Sequence, residues 1–260
     1  MPDHTIAENL TRLATARTNI ATAITTKGGT VAEGAGLEDF PTAIGTIPAG
    51  GSSQDLIDLI ERDITSISIP SGVTTIGVNA FVFCRALTSV TIPNTVTTIG
   101  PSAFQECTGL ISIIIPSSVT KIGEPTNGST FQGCNHLTSV TIPDTVTTIG
   151  TSTFRNCTAL TTIVTPRGVT SITALYEGCT GLTSATITDN ITSLSQRNFY
   201  GCTALQTITF ESSTPPVSGN SNNWYNLPTS CTIRVPSGSL SAYTSALRYP
   251  DPNTYTYVEY

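Results

Sequence analysis

"VTIPNTVTTIG" runs from Val90 to Gly100, and "VTIPDTVTTIG" runs from Val140 to Gly150, with one letter changed between them. A phrase said twice points to a repeat, and the cysteines give its period. Cys84, Cys107, Cys134, Cys157, Cys179 and Cys202 follow one another at intervals of 23, 27, 23, 22 and 23 residues. Three positions before each stands an aromatic residue: Phe81, Phe104, Phe131, Phe154, Tyr176 and Phe199. Soon after each comes a heptamer such as "LTSVTIP" at Leu87 and Leu137, "LISIIIP" at Leu110 or "LTTIVTP" at Leu160. Its fourth and sixth positions are mostly apolar, the period of a strand with one buried face. Proline then ends the strand, because it cannot donate to a sheet ladder. "VTTIG" or a relative follows, and its Val and Ile return to the core. A unit this short cannot bury its own apolar side and must stack on its neighbours. The reading is a β-rich solenoid with a parallel sheet along one face and columns of Phe and Cys inside.

The seven cysteines fit that reading better than a metal or disulfide inventory. Zinc sites use pairs two to four residues apart, and this chain has no such pair. Thiols recurring once per period occupy one structural position, so buried unpaired thiols are expected.

The phrase "LTSVTIPNTVTTIGPSAFQECTGL", Leu87 to Leu110, resembles the BspA-type leucine-rich repeat. Units of that family read Leu-x-x-Ile-x-Ile-Pro, Val-x-x-Ile-Gly, Ala-Phe-x-x-Cys. The resemblance covers about Ile64 to Glu211 and implies a curved leucine-rich-repeat solenoid. Later copies drift. Thr165 and Thr188 stand where a core Ile and a strand-ending Pro are expected, and Leu175-Tyr176 replaces Ala-Phe. Less regular coils are expected there.

Bulk properties exclude several classes. Charged residues make up 11% of the 260 residues, well under the roughly 25% of an ordinary soluble protein. No apolar run approaches the ~20 residues of a spanning helix, so no membrane insertion is expected. The net charge is −6 with basic residues scattered singly, which argues against a nucleic-acid surface. The first residues lack a basic region leading into an apolar one, so no secretory signal is expected.

The outward strand positions form a hydroxyl ladder: Ser66, Ser68, Ser89, Thr91, Ser112, Ser139, Thr141, Thr162, Ser184, Thr186, Thr207 and Thr209, interrupted by Ile114 and Val164. Ile114, Val164, Thr91 and Thr141 are candidate ligand contacts on this face. The plainer reading is that Ser and Thr are ordinary solvent-facing strand residues. One repeat is four residues longer than its neighbours between Lys121 and Cys134, with turn formers Pro125, Asn127 and Gly128. Such an insertion bulges from the scaffold.

The ends differ from the middle. Residues 48–53, "PAGGSS", read as a linker. Residues 54–211 read as the solenoid, opened by a short amphipathic capping helix with a Ser N-cap. Residues 212–260 read as a C-terminal cap, with a last strand from Cys231 to Pro236 and a short helix from Ser239 to Arg248. Trp224 and Tyr225 fall in its most irregular loop and are candidate binding residues; Tyr243, Tyr249, Tyr255, Tyr257 and Tyr260 are simplest as cap packing. Residues 1–47 carry a helix with a capping box at Thr5 and Glu8 and a stop at Gly28-Gly29. Ile6, Leu10, Leu13, Arg17, Ile20 and Ile24 form a heptad stripe, the expected anchor and oligomer interface. The helix and the following "DFPTAIGTI" resemble the N-terminal attachment segments of phage and prophage tail-fibre proteins. That resemblance implies docking on a virion component and assembly with copies of itself, with a trimer the expected state.

Catalysis finds little support: His4 and His136 stand apart from any Cys or carboxylate pattern, and no phosphate loop or metal-ligand spacing occurs. No cofactor is expected. The sequence therefore reads as a non-enzymatic virion attachment protein, assembled in the bacterial cytoplasm, that displays its solenoid to a host-surface glycan or protein. A head-fibre or capsid-decoration role, or a bacterial cell-surface adhesin, are the alternatives.

Overall fold

The computed structural model describes residues 65–69, 71–219, 221–246, 249–250 and 252–260. The expected anchor stripe from Ile6 to Ile24, the linker 48–53 and the capping helix after it lie outside the described residues.

Apolar–polar alternation in the heptamers produces short strands. These are β1 (Ser66–Ser68), β3 (Ser89–Thr91), β5 (Ser112–Ile114), β7 (Ser139–Thr141), β9 (Thr162–Val164), β11 (Ser184–Ile187) and β13 (Thr207–Phe210). Between them lie two-residue strands: β2 (Thr75–Ile76), β4 (Thr98–Ile99), β6 (Lys121–Ile122), β8 (Thr148–Ile149), β10 (Ser171–Ile172), β12 (Ser193–Leu194) and β14 (Val217–Ser218). The chain ends with β15 (Thr232–Val235), helix α1 (Leu240–Ser245) and β16 (Thr256–Glu259). Every pairing is parallel and joins equivalent residues: Ser66 faces Ser89, Thr162 faces Ser184, and Ser184 faces Thr207. The result is the expected parallel β-solenoid.

Proline turns the chain from the long face to the short one. Val96, Val119 and Val146 N–H donate to the carbonyls of Pro93, Pro116 and Pro143 at 3.1, 3.0 and 3.0 Å. A second turn follows each aromatic residue. Leu110 and Leu137 N–H donate to Cys107 and Cys134 O at 3.0 and 3.1 Å. Left-handed residues bracket the aromatic: Asn79 and Phe83 around Phe81, Ser102 and Glu106 around Phe104, Ser152 and Asn156 around Phe154. Each such non-glycine residue costs about 1–2 kcal/mol, offset by the ladder it aligns: Phe81 and Phe104 N–H reach Ala103 and Thr130 O at 2.7 and 2.8 Å.

Inside, the rings form one column. Phe81, Phe104, Phe131, Phe154, Tyr176, Phe199 and Trp224 stack in order with centroids 5.1, 5.4, 5.4, 5.9, 6.0 and 5.8 Å apart and planes within 18°. Each stacked pair adds about 0.5–1.5 kcal/mol beyond area burial. The cysteines are unbridged and serve the same column. The thiols of Cys107, Cys134, Cys157, Cys179 and Cys202 donate to the carbonyls of Phe81, Phe104, Phe131, Phe154 and Tyr176 at 3.0–3.2 Å. Each coil's thiol therefore caps the carbonyl of the preceding coil's ring residue.

Threonine does the equivalent on the outside. The hydroxyls of Thr88, Thr95, Thr145 and Thr183 donate to Thr65, Val73, Val119 and Thr161 O, one coil back, at 2.8, 2.8, 3.0 and 3.0 Å. The longer repeat leaves the ladder at Glu124–Asn127, whose backbones exchange hydrogen bonds at 3.1 and 3.2 Å. It re-enters at Gly128, where a Cβ would lie 2.2 Å from Thr151 O.

The drifted coils are regular, for a physical reason. Thr188 replaces a proline and so brings a buried N–H; Thr165 replaces an isoleucine and accepts it on Oγ1 at 2.9 Å. The two hydroxyls also bond each other at 2.9 Å. Further on, Asn198 and Asn223 are buried and link three coils: Asn198 N–H donates to Asn223 Oδ1 at 2.9 Å, and Leu175 N–H to Asn198 Oδ1 at 3.2 Å. Tyr176 keeps its ring in the column, but its buried hydroxyl has no hydrogen-bond partner.

Stacking also continues past Glu211. β13 is followed by β15 and then by β16, so Cys231–Pro236 does not hold the last strand. Residues 256–259, expected only as part of the cap, follow Pro250 and Pro252 and pair in parallel with β15. The five cap tyrosines direct their hydroxyls to backbone carbonyls: Tyr243 to Ser212, Tyr249 to Pro216, Tyr255 to Leu227, Tyr257 to Pro250 and Tyr260 to Phe210, at 2.7–3.3 Å.

Two substitutions separate satisfied from unsatisfied polar groups. Thr165→Val, although closer to the repeat consensus, strands the Thr188 N–H and is expected to cost about 1–3 kcal/mol. Tyr176→Phe deletes an unbonded buried hydroxyl and is expected to raise stability by about 1 kcal/mol. Urea unfolding followed by circular dichroism measures both.

Candidate functional site

The structure places the sequence-selected residues in different environments. On the long face, Ile114 and Val164 stand 79% and 60% exposed. Thr91 and Thr141 are exposed beside them, Thr141 being directly opposite Ile114 in the register. Within the three sheets of this face, Ser66 pairs with Ser89, Ser112 with Ser139, and Thr162, Ser184, Thr207, Thr232 and Thr256 pair in succession, each a hydroxyl residue.

Trp224 is a correction. It is 6% exposed and forms the last ring of the internal column, stacked on Phe199 and packed against Tyr249 at 5.4 Å. A buried column ring is not a surface contact for a ligand. Its neighbour Tyr225 points the other way and is 54% exposed. Its ring stacks on Tyr200 at 5.0 Å and 16°, and Gly201 N–H donates to Tyr225 O at 3.0 Å, which fixes the two turns together.

Around this pair lies a cluster that residue patterns alone did not reveal. Arg197 Cζ sits 5.3 Å from the Tyr200 ring centroid. Arg197 Nη1 and Arg155 Nη2 both approach Glu177 Oε1, at 3.5 and 3.3 Å. Glu177 is buried between the two guanidiniums; Arg197 stays exposed, whereas Arg155 is half-buried and its Nε is buried without a hydrogen-bond partner. The available signal was positional. The residue after each column ring reads Val82, Gln105, Gln132, Arg155, Glu177, Tyr200 and Tyr225, one outward column that turns charged and aromatic toward the C-terminal end.

Other reactive groups are engaged structurally. Arg167 holds Asp189 at 2.5 Å and Glu211 at 2.6 Å, and its backbone N–H donates to Asp144 Oδ1 at 2.8 Å. Glu211 and Asp189 in turn keep that guanidinium protonated, raising its pKa. His136 Nδ1 lies 2.6 Å from Thr108 O on the surface. Burial pushes the Cys134 and Cys202 thiols up to about 12 and Cys231 to about 11; Cys107, Cys157 and Cys179 move the same way, chiefly through burial. Protonated buried thiols are poor nucleophiles. Among the described residues, no three His, Cys, Asp or Glu side chains gather as metal ligands, and no helix is long and apolar enough to cross a membrane.

Comparison with known proteins agrees with the geometry of the coils. The family model described as "BspA type Leucine rich repeat region (6 copies)" matches residues 60–174 and 126–222, more than half of the chain. A T. pallidum leucine-rich repeat protein is similar at 30% identity over 54% of this chain and 64% of its own, with a TM-score of 0.46. A leucine-rich cell surface protein of Faecalibacterium prausnitzii is similar at 26% identity over 71% of this chain and 62% of its own, with a TM-score of 0.40. A Bacteroides ovatus leucine-rich repeat protein gives 23% identity, 70% and 66% coverage, and a TM-score of 0.45. The chain thus spans less than two thirds of the first two structures, 64% and 62%. No curated protein matches it.

The thiol column sets an alkaline limit. A thiol raised on folding stabilises fully below its unfolded pKa of about 8.5, and that contribution is lost as pH climbs toward about 11–12. Each such thiol removes about 1.4 kcal/mol per pH unit in that window. Urea unfolding at pH 7.5 and pH 10 is expected to show a clear loss at the higher pH. Thiol labelling of the native protein at pH 8 is expected to reach the half-buried Cys84 first and the buried column only on unfolding.

Proposed function

The chain belongs to the BspA-type leucine-rich repeat family, and from that premise we propose a non-enzymatic display protein that docks through residues 1–47 and presents its solenoid to a partner surface. One observation carries this reading: interior and exterior have separate tasks. Rings, thiols and Thr165–Thr188 are consumed in joining coil to coil. Tyr225 and Arg197, with the half-buried Arg155 behind them, instead place exposed aromatic and cationic groups at one end of the solenoid.

The chemistry supports binding rather than turnover. Burial keeps the column thiols protonated, and Asp189, Glu211 and Glu177 are paired with arginine. The heptad stripe Ile6, Leu10, Leu13, Arg17, Ile20 and Ile24 suits self-assembly, and the resemblance to fibre attachment segments makes a trimer the expected state. The resemblance of this segment to phage attachment segments supports a place on a virion, with the solenoid facing the host.

Removing residues 1–49 tests the reading. Light scattering is expected to give a trimer for the full chain and a monomer for the shortened one, with the β-rich circular dichroism unchanged. A shortened protein that keeps the full-length oligomeric mass would sink the anchor role.

A further inference from the structure

The geometry points to the Tyr225 edge as a binding site for a carboxylate-bearing glycan, an assignment that rests on the display reading above and names its ligand class. Four observations carry it. First, Tyr200 and Tyr225 present a flat platform, their rings 5.0 Å apart and 16° from parallel, with Tyr225 the exposed end. Backing by Tyr200 and the Gly201–Tyr225 backbone bond at 3.0 Å hold the outer ring in place before any ligand arrives, so little ordering entropy opposes binding. Such a ring face matches the apolar C–H face of a pyranose.

Second, the ground beside the platform is open. Gly201 bears no side chain, and a Cβ there would meet nothing nearer than Gly178 Cα at 3.8 Å. The Asn156 amide covers Gly178, its Oδ1 lying 2.2 Å from where a Cβ would be. A bare strip edged by an amide suits a ring carrying hydroxyls.

Third, the charge is unbalanced in the required sense. Arg155 and Arg197 share a single carboxylate oxygen of Glu177, at 3.3 and 3.5 Å. Elsewhere among the described ion pairs, Lys121 meets one carboxylate and Arg167 meets two. The Arg155–Glu177–Arg197 cluster, joined to the platform by Arg197 over the Tyr200 ring, has cation to spare, and guanidinium donors suit a carboxylate well. Fourth, the surroundings favour a sugar over a protein. An aromatic hot spot in a protein interface sits in a water-excluding apolar pocket, whereas the Tyr200–Tyr225 pair is bordered by Arg197 over the Tyr200 ring and by Gly201 beside Tyr225.

The test uses the full chain and immobilised polysaccharides. Polygalacturonate, hyaluronate and polysialic acid are the carboxylated probes; methyl-esterified polygalacturonate and dextran are neutral controls. Binding to at least one carboxylated probe is expected, weakening as salt rises. Tyr225→Ala is expected to reduce it at least about tenfold, Tyr225→Phe to leave it near wild type, and Arg197→Gln to reduce it about tenfold while flattening the salt dependence. Equal binding to esterified and free polygalacturonate, or Arg197→Gln without effect, overturns the acidic assignment. Failure of all three carboxylated probes overturns the glycan assignment itself. Neither result touches the display reading, which is decided separately by the mass of the shortened chain.

Discussion

Each coil must lay its aromatic ring flat on the ring of the coil before it. That requirement governs much of the remaining geometry. A ring at this spacing needs the flanking residues in left-handed conformations, as at Ser102 and Glu106 around Phe104. It leaves the ring residue's carbonyl facing the next coil, where a thiol accepts the task of capping it, as Cys134 does for Phe104. The strand, the proline turn and the short return strand then close a circuit of the length needed to bring the next ring into position. Most strand contacts run between neighbouring coils, so the stability of such an array is approximately a sum of coil and interface terms.

The unusual composition follows from the same constraint. A low-charge, hydroxyl-rich chain looks at first like one built to present hydroxyls to a ligand. Many of them are engaged along the solenoid surface instead: Thr88, Thr95, Thr145 and Thr183 each donate to a carbonyl one coil back. At Thr65 and Thr161 the hydroxyl adds a second bond to a carbonyl that already accepts a backbone N–H from the next coil. Ion pairs are correspondingly few among the described residues. Those at Arg167 and Glu177 join different coils, while Lys121–Glu124 lies within one.

Repeat architecture was legible because each copy restates the same buried pattern, so Phe104, Cys107, Leu110 and Ile113 identify one another. Trp224 was obscured because its coil has Leu227 where the others have cysteine, which breaks the Phe-x-x-Cys rhythm while keeping the ring. β16 was obscured because its pairing partner lies across a helix and a proline-rich connection, and only the parallel register with β15 defines it as a strand. The Arg155–Glu177–Arg197 cluster lies at positions separated by about one period, and its members have no shared residue type to align. Their proximity is created by stacking and is invisible in any single copy. Exposure was legible at Ile114 and Val164, since strand alternation alone assigns their side.

The bond between Thr188 N–H and Thr165 Oγ1 carries a history within it. If these coils descend from ones with isoleucine and proline at those places, neither replacement is comfortable alone. Threonine in place of proline first leaves an amide with no acceptor; threonine in place of isoleucine first buries a hydroxyl against a proline ring that has nothing to donate. The pair is therefore an epistatic lock between adjacent copies. It ties two repeats into one heritable unit, so that exchange or duplication of single coils by recombination is penalised at this junction and free at those still closed by proline.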